Sequence, residues 1–282
     1  MMADLTIDPD VVPIFDFDGT CTTPKDGARE AFIDAHQAGL AKLLGQPPEW
    51  ALVRYAAARE KIVANPDEYG WRIRGKIVAS ALADAFVEAQ TCAQLILEEL
   101  GEDLTAWAER MNDLYQAHYL KYEMDFRPEM LEAFNMLRSH EVPFYIVTNS
   151  DPVKVQKRLG VLGDDAAWIG PLVLGHAKKF DWTDGPESIR EEMFFPGLRR
   201  PVQLRKQHYH DVLTRIMKTH AISWDKLLVI GDNAELDDAM PVECGADGCL
   251  ILGPDTPPYE KHWAEEHPRV RLITDLRQAF AA

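Results

Sequence analysis

Positive charge is scarce in this chain. Its 282 residues carry 30 Lys plus Arg against 46 Asp plus Glu, a formal net charge of -16. A surface of that sign repels nucleic acid and anionic membranes, so neither is expected as a partner, and any phosphate must meet local cations or a metal ion. Cysteine is scarce as well. Cys21, Cys92, Cys244 and Cys249 stand apart without C-x-x-C spacing, which argues against a disulfide framework or a zinc finger and for reduced thiols in a cytoplasmic protein. No apolar run reaches the length of a transmembrane helix. The opening MMADLTIDPD is acidic and has neither the basic start nor the apolar middle of a secretory leader. Internal repeats and low-complexity tracts are also missing.

What is present is an ordinary globular composition, 46% hydrophobic, enough for one large domain or a domain with a sizeable insertion. Three stretches read as short buried strands: VVPIF (11–15), PFYIVT (143–148) and KLLVIG (226–231). DGCLILG (247–253) is a fourth and WIGPLVLG (168–175) a weaker fifth. Continuous apolar runs indicate parallel strands covered on both faces. Helical patterns separate them at 129–140, 152–159, 203–220 and 235–244. Alternating strands and helices predict an α/β fold, a doubly wound parallel (Rossmann-like) sheet whose ligands collect at the carboxyl ends of the strands. Between the first and second strands the strand signal disappears and helical patterns take over, as in AREAFIDAHQAGLAKLL. The expected organisation is a core of 1–26 and 124–282 with an inserted all-helical cap over 27–123. Residues 176–201, rich in Pro and Gly, read as a long ordered loop.

The stretch VVPIFDFDGTCTTPKDG ends its apolar run in two acids, Asp16 and Asp18. Asp-Gly alone is a turn signal. A calcium loop would need Gly sixth and Glu twelfth, whereas Gly19 is fourth and Gly27 twelfth. The other two clear strands also end in polar clusters, Thr148-Asn149-Ser150 and Gly231 to Asp238. If the strands are parallel neighbours, Asp16, Asp18, Asp232 and Asp237 face one another. Acids packed that closely favour protonation unless a hard divalent cation, Mg2+ first among them, is bound.

Together, D-x-D-G-T after a strand, a strand ending in Thr, a Lys ahead of a helix and G-D-x-x-x-x-D after a third strand resemble the haloacid dehalogenase-like hydrolase superfamily, in its helical-cap (C1) phosphatase-type branch. The resemblance implies Asp16 as nucleophile, forming an aspartyl-phosphate, and Asp18 as general acid and base. It implies Mg2+ held by the Asp16 carboxylate, the Asp18 main-chain carbonyl and Asp232. Thr148 would donate its hydroxyl to a phosphoryl oxygen, with the Asn149 backbone N-H beside it. Lys206, at the start of a helix and ahead of Asp232, is taken as the family's lysine, because Lys178 and Lys179 lie farther off across the long loop. Asp237 would order water on the metal or hold Lys206.

GWRIRGKI (70–77) matches the outline of a nucleotide-binding P-loop, but Ile77 stands where Ser or Thr is needed and no strand precedes Gly70. Its cluster of Arg72, Arg74 and Lys76 reads either as a solvated turn or, through Arg72 and Arg74, as a grip on a substrate's distal group. Asp18 favours phosphoryl transfer over attack at carbon. The expected function is Mg2+-dependent hydrolysis of a small soluble phosphate ester. A sugar-phosphate phosphomutase is the runner-up, and a catalytically weak protein-binding module the reading from another class. Oligomeric state is not legible.

Overall fold

The computed structural model of the protein describes residues 8–119, 122–254 and 256–280; the acidic opening stretch 1–7 lies outside them. The chain forms two compact units, Met1–Thr23 with Phe126–Ala282, and Pro24–Asp125.

In chain order the elements are β1 (Val12–Phe15), β2 (Thr22–Pro24), α1 (Ala28–Leu43), α2 (Pro48–Ala64), β3 (Gly70–Ile73), β4 (Lys76–Ser80), α3 (Ala85–Glu99), α4 (Leu104–Tyr119), β5 (Met124–Phe126) and α5 (Met130–Ser139). Then follow β6 (Tyr145–Val147), α6 (Pro152–Leu159), β7 (Val173–Leu174), β8 (Glu192–Met193), β9 (Val202–Gln203), α7 (Gln207–His220), β10 (Leu227–Gly231), α8 (Ala239–Glu243), β11 (Asp247–Ile251), α9 (Pro258–Glu266) and β12 (Val270–Ile273).

The first unit is built on a six-stranded sheet in the order β12-β11-β10-β1-β6-β7, and every pairing in it is parallel. Successive side chains of a strand leave opposite faces, and both faces here are covered. Val12, Ile14, Leu227, Val229 and Leu250 enter one apolar cluster. Phe15, Leu228, Ile230, Cys249 and Ile251 enter the other. That two-sided burial is why the strands are continuous apolar runs in sequence rather than alternating ones. The register pairs Phe15 with both Ile230 and Ile146, so the carboxyl ends of β1, β10 and β6 finish level with one another.

The expected fifth strand over 168–175 shrinks to β7, because residues 164–172 wind into tight helical turns. The edge strand β12 carried no expectation. The helix expected over 203–220 begins only at Gln207, since Val202 and Gln203 pair with Glu192 and Met193 in the β8-β9 hairpin.

The second unit packs α1 to α4 around Leu40, Tyr55, Ile62, Ile96, Trp107 and Met111. α3 starts where Asp84 accepts the Val87 N-H at 2.7 Å, the usual way to satisfy an orphan donor at a helix start. Beside the helices stands one hairpin that the sequence did not announce: β3 and β4 pair antiparallel across residues 70–80. Its two-residue turn is Arg74-Gly75, with φ of 49° and 79°, a combination that suits the twist of a tight hairpin and that glycine adopts without strain. The GWRIRGKI stretch is therefore a strand, a turn and a second strand. Among the described residues no helix is long and apolar enough to cross a membrane.

Candidate active site

β1 delivers Asp16 to the level carboxyl ends of the strands, where its N-H extends the ladder to the Ile230 carbonyl at 2.9 Å. Phe17 turns the other way and is fully buried in the core cluster with Phe15. The chain then folds back, Cys21 N-H reaching the Phe17 carbonyl at 2.9 Å. Gly19 makes this turn possible. It holds φ of +93°, and a Cβ there would stand 2.1 Å from Asp232 Oδ2. The close approach brings the two acidic loops together, and Thr20 Oγ1 donates to Asp232 Oδ1 at 3.2 Å.

At the end of β6, Thr148 is buried, and its Oγ1 accepts the Ser150 N-H at 3.1 Å. Ser150 in turn donates its hydroxyl to Asp18 Oδ2 at 2.5 Å. Arg158, on α6, donates to Asp18 Oδ1 at 3.1 Å. The end of β10 passes into a π-helical turn, Ala234–Asp238, which presents Asp237.

The basic partner differs from the sequence expectation. Lys179 Nζ donates to Asp16 Oδ1 at 2.7 Å and to Asp237 Oδ1 at 2.8 Å. Its side chain is 2% exposed. Lys206 is equally buried but points its ammonium at the main-chain carbonyls of Glu235 and Leu236, so it ties down the loop that carries Asp237 and makes no carboxylate pair. Backbone pairing explains how Lys179 arrives. Thr148 N-H bonds the Leu174 carbonyl at 3.0 Å, His176 N-H the Ser150 carbonyl at 3.0 Å, and Ala177 N-H the Thr148 carbonyl at 2.9 Å. The Lys179 N-H then meets Asn149 Oδ1 at 2.7 Å. Segment 174–179 thus runs alongside 148–150, and the long loop begins only after the lysine has been placed. Asp237, expected to order water on the metal or to hold Lys206, pairs with Lys179.

The same loop is anchored from below. Arg200 forms a two-point pair with Glu235, at 2.8 and 2.6 Å, and Tyr259 donates to the same carboxylate at 2.7 Å. Glu260 accepts the Ala234 N-H at 2.7 Å. Buried ion pairs of this kind fix conformation more than they add stability.

Electrostatics make the site a cation trap. Burial disfavours the Lys179 ammonium, but the carboxylates of Asp16 and Asp237 outweigh it and hold its pKa above the ordinary lysine value. Burial pushes Asp16 up to about 8, against the pull of Lys179 and with the help of Asp237. One lysine does not offset the burial of Asp16 beside a second carboxylate, so Asp16 retains a proton near neutrality unless a further positive charge is supplied. One oxygen from each of Asp16, Asp232 and Asp237 lies within 4.8 Å of the others. Among Asp16, Asp18, Asp232, Asp237, Lys179 and Arg158, four acids face two cations. An all-oxygen donor set with that deficit fits a hard divalent cation.

Asp16, Asp18, Thr148, Asn149, Asp232 and Asp237 therefore share one hydrogen-bonded neighbourhood. Arg72 and Arg74 belong to the hairpin of the other unit, where Arg72 pairs with Glu98 and its main-chain N-H and carbonyl bond the side-chain amide of Gln94. Sequence reasoning weighed Lys179 and set it aside, and it gave no role to Ser150, Arg158 or Thr20. For Lys179 a signal existed, a lysine closely following the end of an apolar run; Arg158 reads in sequence as an ordinary surface residue of a short helix.

The family model described as haloacid dehalogenase-like hydrolase matches residues 13–245. No curated protein matches the sequence. Among solved structures, the chain is similar to a predicted phosphoglycolate phosphatase from Haemophilus somnus, at 13% identity and a TM-score of 0.54, with 96% of this chain and 97% of that one covered. It is also similar to a putative haloacid dehalogenase-like hydrolase from Bacteroides fragilis, at 14% identity and a TM-score of 0.53 over 95% and 98% of the two chains. A hydrolase from Pseudomonas syringae reaches 19% identity and a TM-score of 0.50, covering 95% and 94%. With acidic loops meeting at level strand ends and a family match spanning most of its length, the chain belongs to the haloacid dehalogenase-like hydrolase family.

Proposed function

We propose that the protein is a Mg2+-dependent phosphomonoester hydrolase acting on a small soluble phosphorylated metabolite through an aspartyl-phosphate. The observation that carries this reading is the pairing of roles around one lysine. Asp16 is held by Lys179 at 2.7 Å, and a second acid, Asp18, follows two residues on with its own donors. A nucleophile with a separate acid and base beside it suits phosphoryl transfer, in which a poor leaving oxygen must be protonated.

In the first half-reaction the Asp16 carboxylate attacks phosphorus while the bond to the leaving oxygen breaks and Asp18 supplies the proton. In the second, Asp18 takes a proton from water as that water attacks phosphorus and the bond to Asp16 breaks. The Thr148 oxygen already accepts the Ser150 N-H, which leaves its own proton to donate to a phosphoryl oxygen. Lys179 keeps Asp16 oriented and offsets charge on the phosphoryl group. Asn149 contributes through its side chain, which fixes the Lys179 backbone. Asp16 and Asp232, with the Asp18 main-chain carbonyl, would hold Mg2+. When bound, the ion favours ionised Asp16 and neutralises the negative charge that substrate and site share.

The test is release of phosphate from p-nitrophenyl phosphate with and without Mg2+, with Asp16→Asn as control. Absence of turnover in the wild type removes the proposal.

A further inference from the structure

We propose that Ser150 and Arg158 are positioning residues for Asp18, fixing its carboxylate in the orientation that proton transfer to the leaving oxygen requires. The inference rests on the phosphatase reading and extends it to two residues outside the expected set.

Asp18 stands on the turn that follows β1, with its side chain 18% exposed, so packing alone does not set its direction. Two donors do. Ser150 Oγ engages one oxygen at 2.5 Å and Arg158 Nη1 the other at 3.1 Å. Each carboxylate oxygen has two lone pairs, so a single donor on an oxygen does not by itself block proton transfer there. The two donors are not equivalent. A serine hydroxyl can donate to a carboxylate and then accept from a carboxylic acid, following the proton through both half-reactions, whereas a guanidinium only donates.

Their placement is equally built in. Ser150 also gives its N-H to Thr148 Oγ1 at 3.1 Å, so one residue registers the acid and base against the phosphoryl donor. Arg158 comes from α6, whose start is fixed by Asp151 accepting the Val153 N-H at 2.8 Å with Pro152 in the first turn. Helical side chains lean toward the helix start, which carries the guanidinium back toward the strand ends. Its side chain is 14% exposed, less than an arginine serving only as a surface charge would show.

The test measures kcat/KM, which reports transfer to Asp16, over a leaving-group series from p-nitrophenyl phosphate through phenyl phosphate to an alkyl phosphate. A misdirected acid matters most where the leaving oxygen is a poor one. Ser150→Ala and Arg158→Gln should therefore each lose roughly 10- to 100-fold on the alkyl ester and under about threefold on p-nitrophenyl phosphate. Arg158→Lys should recover part of the loss, and Arg158→Gln should add nothing in an Asp18→Asn background. Equal losses across the series, no loss, or losses that add to those of Asp18→Asn overturn the inference while leaving an active phosphatase. A wild type inert toward every ester overturns the phosphatase reading and this inference with it. Ser150→Ala removes a single oxygen, so it reads the same slope even if Arg158→Gln does not fold.

Discussion

Replacing Lys179 with methionine keeps the length of the side chain and removes its charge, leaving Asp16 and Asp237 buried without their shared partner. Removing one member of a buried pair costs about 3–5 kcal/mol, because the remaining charge is uncompensated. At roughly 2–4 °C per kcal/mol for a chain of this size, Tm should fall by about 10 °C. The Lys179 pKa is raised in the folded state. Its contribution is therefore fully present below the ordinary lysine value of about 10.4 and is lost only as pH rises through the folded value, so an assay near pH 7.5 lies inside the window. Activity should fall further than stability alone explains, since loss of one preorganised donor at the reacting group costs on the order of 10^2 to 10^3 in kcat. Lys206→Met is the matched control. Burial lowers Lys206 to about 8 and its bonds go to two carbonyls, so this variant should lose less than about tenfold in kcat/KM. Thermal melts and steady-state kinetics on both variants decide the matter. Near wild-type activity in Lys179→Met, with an inactive but folded Lys206→Met, would refute the assignment.

Gly19→Ala should abolish the Mg2+-induced rise in Tm and reduce kcat/KM at least about a hundredfold, because a Cβ at 2.1 Å from Asp232 Oδ2 separates the two acidic loops; retained Mg2+ stabilisation contradicts the close-approach argument. Asp16 at about 8 lies above its ordinary carboxylate value, so the folded metal-free chain holds the extra proton and its stability should fall as pH rises from about 4 to about 8. The Tm gain from Mg2+ should then grow across that interval, and a gain largest at pH 5 would argue against Asp16 as a ligand. Arg72→Ala and Arg74→Ala should raise KM more than they lower kcat if the β3-β4 hairpin grips the distal part of the substrate; an unchanged KM removes the hairpin from substrate binding.

The carboxyl ends of β1, β6 and β10 were legible in the sequence because two-sided burial leaves an uninterrupted apolar run, and polar residues that end such a run stand out against it. Asp16, Asp18, Thr148 and Asp232 were singled out as candidates this way. Lys179 was set aside because the apolar run ahead of it gives only a weak signal, and its final position depends on backbone bonds between 174–179 and 148–150 that are non-local in sequence. Lys206 has the spacing of a catalytic lysine, but the strand pairing of Val202 and Gln203 delays the helix to Gln207 and directs the side chain to the carbonyls of Glu235 and Leu236. The β3-β4 hairpin was missed because its charged strand residues masked a tight Arg-Gly turn. Asn149 was named for its backbone, yet its side chain makes the consequential bond.

The most direct test of the central claim is to stop turnover with acid and locate the phosphoryl group on the protein by mass spectrometry. The account predicts a phosphoryl adduct on Asp16 in the presence of Mg2+ and a phosphomonoester, and none in Asp16→Asn. Turnover without an adduct, an adduct on another residue, or undiminished activity in Asp16→Asn would contradict it.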